Sequence, residues 1–362
     1  MSKTLDELYD IASNYHTDEN HEMAKYYYKQ VLQIDPKHYN SLRWLADNYL
    51  EQENYETAIK WFEKAKKVND QDNNLFNDLG LCYYENCDYE KSIKNYKLGL
   101  EIKHDDETIH SNFGKALYER YLENQQEAKQ DAKWWLNNFP NSNDAQVIGS
   151  AILGKNISKQ NTKYVKQIFD DFAEDFDEKL SELNYKAPEY IAEIWKKHNK
   201  KPVSKILDAG CGTGLLSQHI TNCCDQLYGV DLSSEMLELA KTRELYTDLF
   251  CEDLIKYLER NKDSFNGVIA SDVLCYFGDL EEVFKLSYDS LHSNSYLAFS
   301  VEKNQIDEQD FLLSPSGRYV HKQKYVEYLL EKVGFKKVKI INKTLRTEHD
   351  NPVKGLITIA KK

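Results

Sequence analysis

Glycines at alternate positions follow a short apolar stretch near the middle of the chain, where they could bring main chain close to a small ligand. Residues 203–208 form a strand-like run, and Gly210, Gly212 and Gly214 follow it. A ligand can lie against backbone only where no Cβ intrudes, so this turn predicts a loop that binds a nucleotide-like cofactor. A second apolar stretch ends in Asp231, about 20 residues downstream, where a carboxylate can accept hydrogen bonds from both hydroxyls of an adenosine ribose.

The spacing of these glycines differs from the dinucleotide-binding pattern. A dinucleotide fold requires G-x-G-x-x-G, whereas this loop is G-x-G-x-G and is preceded by Asp208. The arrangement resembles the first motif of class I S-adenosylmethionine-dependent methyltransferases. The resemblance implies S-adenosylmethionine as cofactor, with binding residues Asp208, Gly210, Gly212, Gly214, Asp231 and Leu232. The alternative is a glycine turn in an unrelated α/β domain.

Polar residues also follow the third and fourth apolar stretches of this half. At the position of Asp253 and Leu254, the family pattern has a side chain that accepts from the adenine amine and a backbone amide beside the ring. At Ser271, Asp272 and Tyr276 the family's residues approach the methionine part of the cofactor and its methyl group. A single acid at a strand end is more often a helix cap or a solvated residue. Acids at four successive strand ends favour a binding site, and these are Asp231, Asp253, Asp272 and Glu302.

Methyl transfer from a sulfonium is an in-line displacement. The protein must chiefly hold the nucleophile, the methyl carbon and the sulfur in line and exclude water. An oxygen or nitrogen acceptor that carries a proton also benefits from a base. The candidates for this role are His321, Asp272, Tyr276 and Glu302.

Sequence similarity with a period of 34 residues fills the first part of the chain. Apolar, small and aromatic positions recur in step, as in Leu8, Leu42 and Phe76, in Ala12, Ala46, Gly80 and Gly114, and in Tyr15, Tyr49 and Tyr83. The pattern resembles the tetratricopeptide repeat, which implies stacked pairs of antiparallel helices. We predict three repeats and a fourth with a longer turn near residues 123–126. Stacked repeats form a groove that binds a peptide or an extended protein segment, unless they only dock on the second domain or form a dimer.

An aromatic and acidic segment at residues 164–177 lies between the repeats and the glycine loop. It resembles the F-D-x-F-A-x-x-F-D-x-x-L element of bacterial predicted methyltransferases that carry tetratricopeptide repeats. The catalytic half of that group is similar to trans-aconitate and malonyl-carrier-protein methyltransferases. We expect the segment to be a lid over the cofactor, with Phe169 and Phe172 facing the substrate. The alternative is a stripe of ordinary core residues.

A loop before the last helix supplies the remaining substrate-binding candidates. Residues 316–321 resemble an S-G-R-F/Y-x-H segment of the same group. Arg318 could bind a substrate carboxylate with both guanidinium nitrogens, and we assign Glu302 to the same side of the site. The alternatives are that Arg318 pairs with the acidic lid and that His321 caps the following helix.

Strand-like and helical stretches alternate from residue 201 onward, which predicts a mainly parallel sheet with helices on both faces. Seven strands with a closing hairpin match the class I methyltransferase arrangement. The predicted fold is therefore α + α/β. A tetratricopeptide α-solenoid covers residues 1–140, and a closing helix and linker cover 141–160. A Rossmann-like methyltransferase domain covers 161–362, with a helical lid at 161–200.

Composition narrows the class of partner. The 362 residues carry a net charge of −13 with a pI near 5.3, which disfavours nucleic acid as the acceptor and a membrane surface as the partner. Up to Lys155 there are 18 Lys and Arg against 27 Asp and Glu, so a basic protein partner is favoured there. Seven cysteines without zinc-type spacing predict a reducing, cytoplasmic location and no metal site.

These patterns together predict an S-adenosylmethionine-dependent methyltransferase. The acceptor atom is oxygen or nitrogen on a small molecule or a protein, and the repeats recruit a protein partner. The alternative is a non-catalytic adaptor that has retained a cofactor-binding domain.

Overall fold

The structure is a computed structural model that describes residues 3–157, 162–306 and 309–362. The chain divides into two compact units between Leu153 and Gly154.

The first unit is a series of antiparallel helix pairs. Its helices are α1 (Leu5–Thr17), α2 (His21–Ile34), α3 (Tyr39–Glu51), α4 (Tyr55–Lys66), α5 (Asn73–Glu85), α6 (Tyr89–Ile102), α7 (Glu107–Glu123) and α8 (Gln125–Asn138). A π-helical turn (Ala145–Gly149) and the short α9 (Ser150–Ile152) follow. The predicted α-helical repeats are confirmed.

The turn inside each of the first three pairs is built in the same way. The second helix of each pair begins after a cap whose side chain accepts a backbone N–H from the first turn, and these caps are Asn20, Asn54 and Asp88. Such caps satisfy donors that the helix itself leaves free. The 34-residue spacing of the caps therefore sets where each second helix starts.

Small residues of the repeat lie where two helices touch. Ala12 and Ala46 are fully buried, and a Cβ at Gly80 would lie 2.4 Å from a ring carbon of Tyr96. Glycine is needed at position 80 because the aromatic ring of the paired helix fills the space that a side chain would take.

The fourth pair differs from the prediction of a longer turn. Asn124 alone separates α7 from α8, because it ends the first helix and its side chain also caps the second. Helix α7 has 17 residues, against 13 in α1, α3 and α5, whereas its turn has one residue instead of three, so this helix and its turn together are two residues longer.

The second unit begins with helices and continues as an alternating α/β domain. The helices are α10 (Thr162–Phe172), α11 (Phe176–Glu182), α12 (Ala187–His198), α13 (Ser217–Ile220), α14 (Ser234–Thr242), α15 (Leu254–Arg260), α16 (Glu281–Ser290) and α17 (Gln323–Val333). The strands are β1 (Val203–Ala209), β2 (Cys224–Asp231), β3 (Asp248–Cys251), β4 (Phe265–Ala270), β5 (Leu291–Lys303), β6 (Phe311–Leu313), β7 (Tyr319–His321), β8 (Lys336–Glu348) and β9 (Asn351–Lys361).

The main sheet has the predicted parallel core. Strands β3, β2, β1, β4 and β5 lie side by side in that order and are parallel. Strand β9 pairs antiparallel with β5, and β8 pairs antiparallel with β9. The seven predicted strands are confirmed, and a short hairpin of β6 and β7 adds to them by pairing β7 with the end of β5.

Both faces of the sheet are covered. On β5, Leu297, Phe299 and Val301 pack on the side of α15, α16 and α17, whereas Ala298 packs on the side of α12. A parallel sheet that is buried on both faces presents its ligand-binding loops at the carboxyl ends of its strands.

Two helical segments are short or broken. Between the glycine loop and β2 the chain forms the short α13 and a 3₁₀ turn, because Gly214 has φ +83° and an α-helix cannot begin there. The expected lid helix is broken between α10 and α11, which turns the chain at residues 173–175.

Candidate cofactor-binding and active site

A cavity of about 370 Å³ lies in the second unit at the carboxyl ends of the strands, and α10 and α11 form one of its walls. Its size is typical of a small-molecule site. Of the predicted site residues, those that line it are Phe169, Phe172, Asp208, Gly210, Gly212, Asp231, Leu232, Asp253, Leu254, Ser271, Asp272, Tyr276 and Arg318. Gly214, Glu302 and His321 do not line it.

The glycine loop follows β1 and turns tightly against β2. Gly210 has φ +67°, and its N–H donates to the carbonyl oxygen of Val230 at 2.8 Å. A Cβ at Gly210 would lie 2.4 Å from Val273. Gly212 has φ +52° and borders the cavity with no atom nearer than 4.0 Å to its missing Cβ. Backbone at Gly212 is therefore open to a ligand.

Asp231 ends β2 with its carboxylate held by backbone donors. Gly212 donates to one oxygen at 2.8 Å and Ser233 donates to the other at 3.0 Å. Burial raises the pKa of Asp231, although these backbone N–H groups favour the charged form. An ionised carboxylate has about four lone-pair sites, so two are left for hydroxyl donors from the cavity.

Asp208 ends β1 beneath the glycine loop and is 1 % exposed. Its Oδ2 accepts a hydrogen bond from the Tyr246 hydroxyl at 2.7 Å, whereas its Oδ1 has no partner among the described residues. Burial raises the pKa of Asp208 to about 7. A buried acceptor with no partner is costly and indicates a donor that the chain does not supply.

Residues after β3 close another side of the cavity. Asp253 caps α15 by accepting the N–H of Lys256 at 3.2 Å, and it also lines the cavity. Asp253 can cap the helix and also bind a ligand, because the cap uses one carboxylate oxygen and leaves the other for the ligand. Leu232 and Leu254 supply apolar surface beside it.

The lid segment is bonded to the glycine loop and to the start of α14. The Ser233 hydroxyl donates to Asp170 at 2.6 Å, and the Thr213 hydroxyl donates to Asp177 at 2.5 Å. Arg243 pairs with Asp177 and donates through Nε to the carbonyl oxygen of Thr213 at 2.5 Å. Both lid acids therefore bind elements that also form the cofactor side of the cavity.

Aromatic rings of the lid cover the cavity. Phe169 meets Tyr276 edge to face at 5.3 Å between ring centroids, and Phe176 meets both Phe169 and Phe172 in the same manner. Such contacts hold a continuous apolar wall that excludes water. Tyr276 comes from the loop after β4, so the wall joins the lid to the sheet.

A network of two arginines and three carboxylates forms the far end of the cavity. Arg346 donates to Asp272 at 3.1 Å and to Glu348 at 2.7 Å, and it also pairs with Glu302. Arg318 lies 2.7 Å from Glu302 and 2.5 Å from Glu348. Burial raises the pKa of Asp272, which Arg346 and the Ser300 hydroxyl oppose by stabilising the charged form.

This network corrects the prediction for Glu302 and the alternative that was given for Arg318. Glu302 is 5 % exposed and is taken up by both arginines, so it does not face a substrate. Arg318 does line the cavity, but it pairs with Glu302 and Glu348 instead of the acidic lid.

Arg346 and Glu348 were not among the predicted site residues. Both lie at the end of β8. The continued run of strand-forming residues through 348 was the available signal. Because β8 runs parallel to β5, its end reaches the same edge of the sheet.

His321 is the clearest correction. It is fully buried, and its Nε2 lies 2.9 Å from the carbonyl oxygen of Phe277 and 3.0 Å from that of Gly278. Burial lowers its pKa to about 4, so the ring is neutral and donates from Nε2 to these carbonyls. It does not cap α17 either, since that helix has no side-chain cap. No histidine lines the cavity in the part of the chain that the structure describes.

Residues 177–340 match the sequence family described as a methyltransferase domain, and residues 16–79 match the tetratricopeptide repeat family. The second unit contains a methyltransferase domain. The expected combination of tetratricopeptide repeats with a methyltransferase of the S-adenosylmethionine-dependent type is confirmed.

Two methyltransferases are similar to part of this chain. A malonyl-[acyl-carrier protein] O-methyltransferase of Bacillus anthracis is 21% identical over 144 residues, which is 39% of this chain and 53% of the relative. A mitochondrial ubiquinone biosynthesis O-methyltransferase of Rattus norvegicus is 30% identical over 117 residues, 29% of this chain and 34% of the relative. The chain thus spans from a third to about half the length of these relatives.

Among solved structures, a magnesium protoporphyrin IX methyltransferase from Synechocystis PCC 6803 with bound S-adenosylhomocysteine is 16% identical. The match covers 56% of this chain and 100% of that chain, with a TM-score of 0.44.

No helix in the described ranges is long and apolar enough to cross a membrane.

Proposed function

We propose that this protein binds S-adenosylmethionine in the cavity and transfers its methyl group to an oxygen or nitrogen acceptor. The observation that carries the proposal is the pair of acids, Asp231 and Asp208, which face one cavity beside the open backbone of Gly212. Asp231 has lone pairs left for two ribose hydroxyls, and the unpartnered Oδ1 of Asp208 suits the ammonium group of the methionine part.

The charge of the cavity fits this cofactor. Six carboxylates line it, from Asp208, Asp231, Glu252, Asp253, Asp272 and Glu348, against the two guanidinium groups of Arg318 and Arg346. A lining with more negative than positive groups stabilises a ligand that carries both a sulfonium and an ammonium. Asp253 would accept from the adenine amine, with Leu232 and Leu254 beside the ring.

The cofactor supplies an electrophilic methyl group on sulfur. The protein orients the acceptor toward this methyl group and excludes water from the reacting atoms. The aromatic wall of Phe169, Phe172 and Tyr276 excludes water from the reacting atoms. Burial raises the pKa of Tyr276, so its phenol stays protonated and can donate a hydrogen bond to the acceptor. Asp272 is fixed by Ser300 and Arg346, and its carboxylate can take the acceptor's proton or orient the acceptor.

We further propose that the repeats bind a segment of a protein partner. The excess of acidic residues before Lys155 favours a basic segment. All seven cysteines are free, which is consistent with a reducing compartment such as the cytoplasm.

Calorimetric titration of the full chain with S-adenosylmethionine tests the binding step. We expect micromolar-range affinity, reduced at least about 100-fold in Asp231→Ala because two charge-assisted hydrogen bonds are lost. The matched control is Asp225→Ala, which removes an exposed acid at the other end of β2. Equal affinity in the wild type and Asp231→Ala would contradict the assignment of the cavity.

Incubating the chain with tritium-labelled cofactor and cell lysate tests the transfer step. Label that appears in small molecules or in protein, and that depends on Asp231, identifies the acceptor class. Tight cofactor binding without any transferred label would instead support a non-catalytic adaptor.

A further inference from the structure

A second cluster of potential ligands lies in the repeat unit and takes no part in the proposed methyl transfer. His16 is in the last turn of α1, and Asp47 and Glu51 are on α3. One ligand atom from each lies within 4.8 Å of the other two. We propose that His16, Asp47 and Glu51 form a binding site for a divalent metal ion of the zinc type.

The distances favour coordination over hydrogen bonding. His16 Nε2 lies 3.4 Å from Asp47 Oδ2 and 3.3 Å from Glu51 Oε2. A charge-assisted hydrogen bond brings such atoms to about 2.7–2.9 Å. In a tetrahedral zinc site with bonds of about 2.0–2.1 Å, neighbouring ligand atoms are about 3.3–3.4 Å apart. The two separations from His16 therefore match the edges of a zinc tetrahedron, and the two carboxylate oxygens lie within 4.8 Å of each other.

The charges around the cluster also call for a cation. Asp47 and Glu51 are four residues apart on one helix face, where like charges repel. Within the described ranges, no Lys or Arg nitrogen lies within 4.0 Å of either carboxylate, and their ionic contacts are with histidines. A divalent ion would neutralise both acids at once.

The imidazole of His16 is held with Nε2 toward these acids. Trp44 and Tyr28 contact the ring edge to face, with centroids 5.5 and 6.0 Å away. The opposite nitrogen, Nδ1, lies 3.4 Å from the Tyr28 hydroxyl. Fixing the ring and giving its second nitrogen a partner is how proteins orient a histidine ligand.

A water molecule can supply the fourth ligand and complete four-coordination. His21 Nδ1 lies 3.4 Å from Glu51 Oε2, but it lies 3.1 Å from the amide nitrogen of Asn48, which donates to it, and it is outside the cluster of three. The ion would then join α1 to α3, and so fasten the first repeat to the second. The imidazole and carboxylate set suits zinc better than magnesium or calcium, which prefer oxygen ligands alone.

The test uses the full chain, freed of metal with a chelator and then titrated with zinc chloride, with cobalt chloride as a spectroscopic probe. We expect one equivalent to bind. At free zinc about 100-fold above Kd, the Tm of the repeat unit should rise by about 5–10 °C. Cobalt should give d–d bands without a thiolate charge-transfer band, because the ligands are nitrogen and oxygen.

Variants separate this site from adventitious binding by the seven thiols. His16→Gln and Glu51→Gln should each weaken zinc binding by more than about 100-fold, and His104→Gln, which changes an exposed histidine of the same unit, should not. Circular dichroism must show that each variant is folded, and Glu51 is exposed enough to tolerate the change.

Three outcomes would overturn the proposal: no zinc binding by the wild type, binding retained in Glu51→Gln, or a thiolate band with cobalt.

Discussion

Replacing Asp208 with asparagine is expected to weaken cofactor binding and, in the same protein, to stabilise the unliganded fold. Both effects come from one carboxylate that is fully buried, with Tyr246 on one oxygen and no partner on the other. Asparagine keeps the shape of the side chain and an acceptor for Tyr246 but removes the charge. If Asp208 only supported the fold, its replacement would lower the stability of the unliganded protein instead of raising it.

The size of each effect follows from the burial of the carboxylate. A hydrogen bond to a charged group contributes about 1.5–3 kcal/mol, so the affinity for S-adenosylmethionine should fall about 10- to 150-fold. The pKa of Asp208 is raised to about 7 in the fold, so the native state holds its proton more tightly than the unfolded chain. Stability therefore falls as pH rises from about 4 to about 7, and at pH ~8 the Asp208→Asn variant should be more stable by about 2–4 kcal/mol.

Two measurements check this reasoning. Denaturant unfolding without ligand, at about pH 4 and about pH 8, should show the gain in the variant only at the higher pH. Calorimetry should show that wild-type affinity drops about tenfold per pH unit below about 7, and that the variant lacks this dependence. In Tyr246→Phe, which removes a hydrogen bond that lowers the pKa of Asp208, the drop should begin at higher pH. An Asp208→Asn protein that is less stable at pH ~8, or that binds the cofactor as wild type does, would refute the argument.

Other substitutions test other parts of the second unit. Arg346→Met should lower the free energy of unfolding by about 3–5 kcal/mol in guanidinium chloride, because it leaves buried carboxylates without their main cation. Gly210→Ala should abolish cofactor binding and lower Tm, since its Cβ would lie 2.4 Å from Val273. Gly154→Ala is its control, because it has a similar φ of +70° but no atom within 4 Å, and it should cost only about 1 kcal/mol. His321→Asn should lower Tm, yet its cofactor affinity should equal that of the wild type at every pH. A pH profile of binding that differs from that of the wild type would show that His321 takes part in the site.

The cofactor side of the site was predictable because residues close together in the sequence determine its geometry. Alternate glycines after a strand set the path of the loop, and Asp231 follows the neighbouring parallel strand. Parallel register then brings the ends of β1 and β2 together without any further information. The repeat helices were predictable for a similar reason, since caps at a fixed period determine where each second helix begins.

The substrate side depends on pairings between distant segments. Arg346 meets Glu302 across 44 positions of sequence and Asp272 across 74. These contacts require the register of β5 with β9 and of β9 with β8, which a single sequence does not reveal. His321 was misplaced because the β6–β7 hairpin was not predicted. That hairpin turns the ring toward the carbonyls of Phe277 and Gly278.

The two acids of the lid make opening a separate step in ligand capture. Asp170 and Asp177 are hydrogen-bonded to Ser233 and Thr213, beside Asp231 and the glycine loop, and we expect a ligand to reach Asp231 after these bonds release. The observed association rate should then reach a plateau at high ligand concentration instead of rising linearly, with the plateau equal to the opening rate. Asp177→Asn, which weakens the bond to Thr213, should raise the plateau rate, and an unchanged plateau would contradict the expectation.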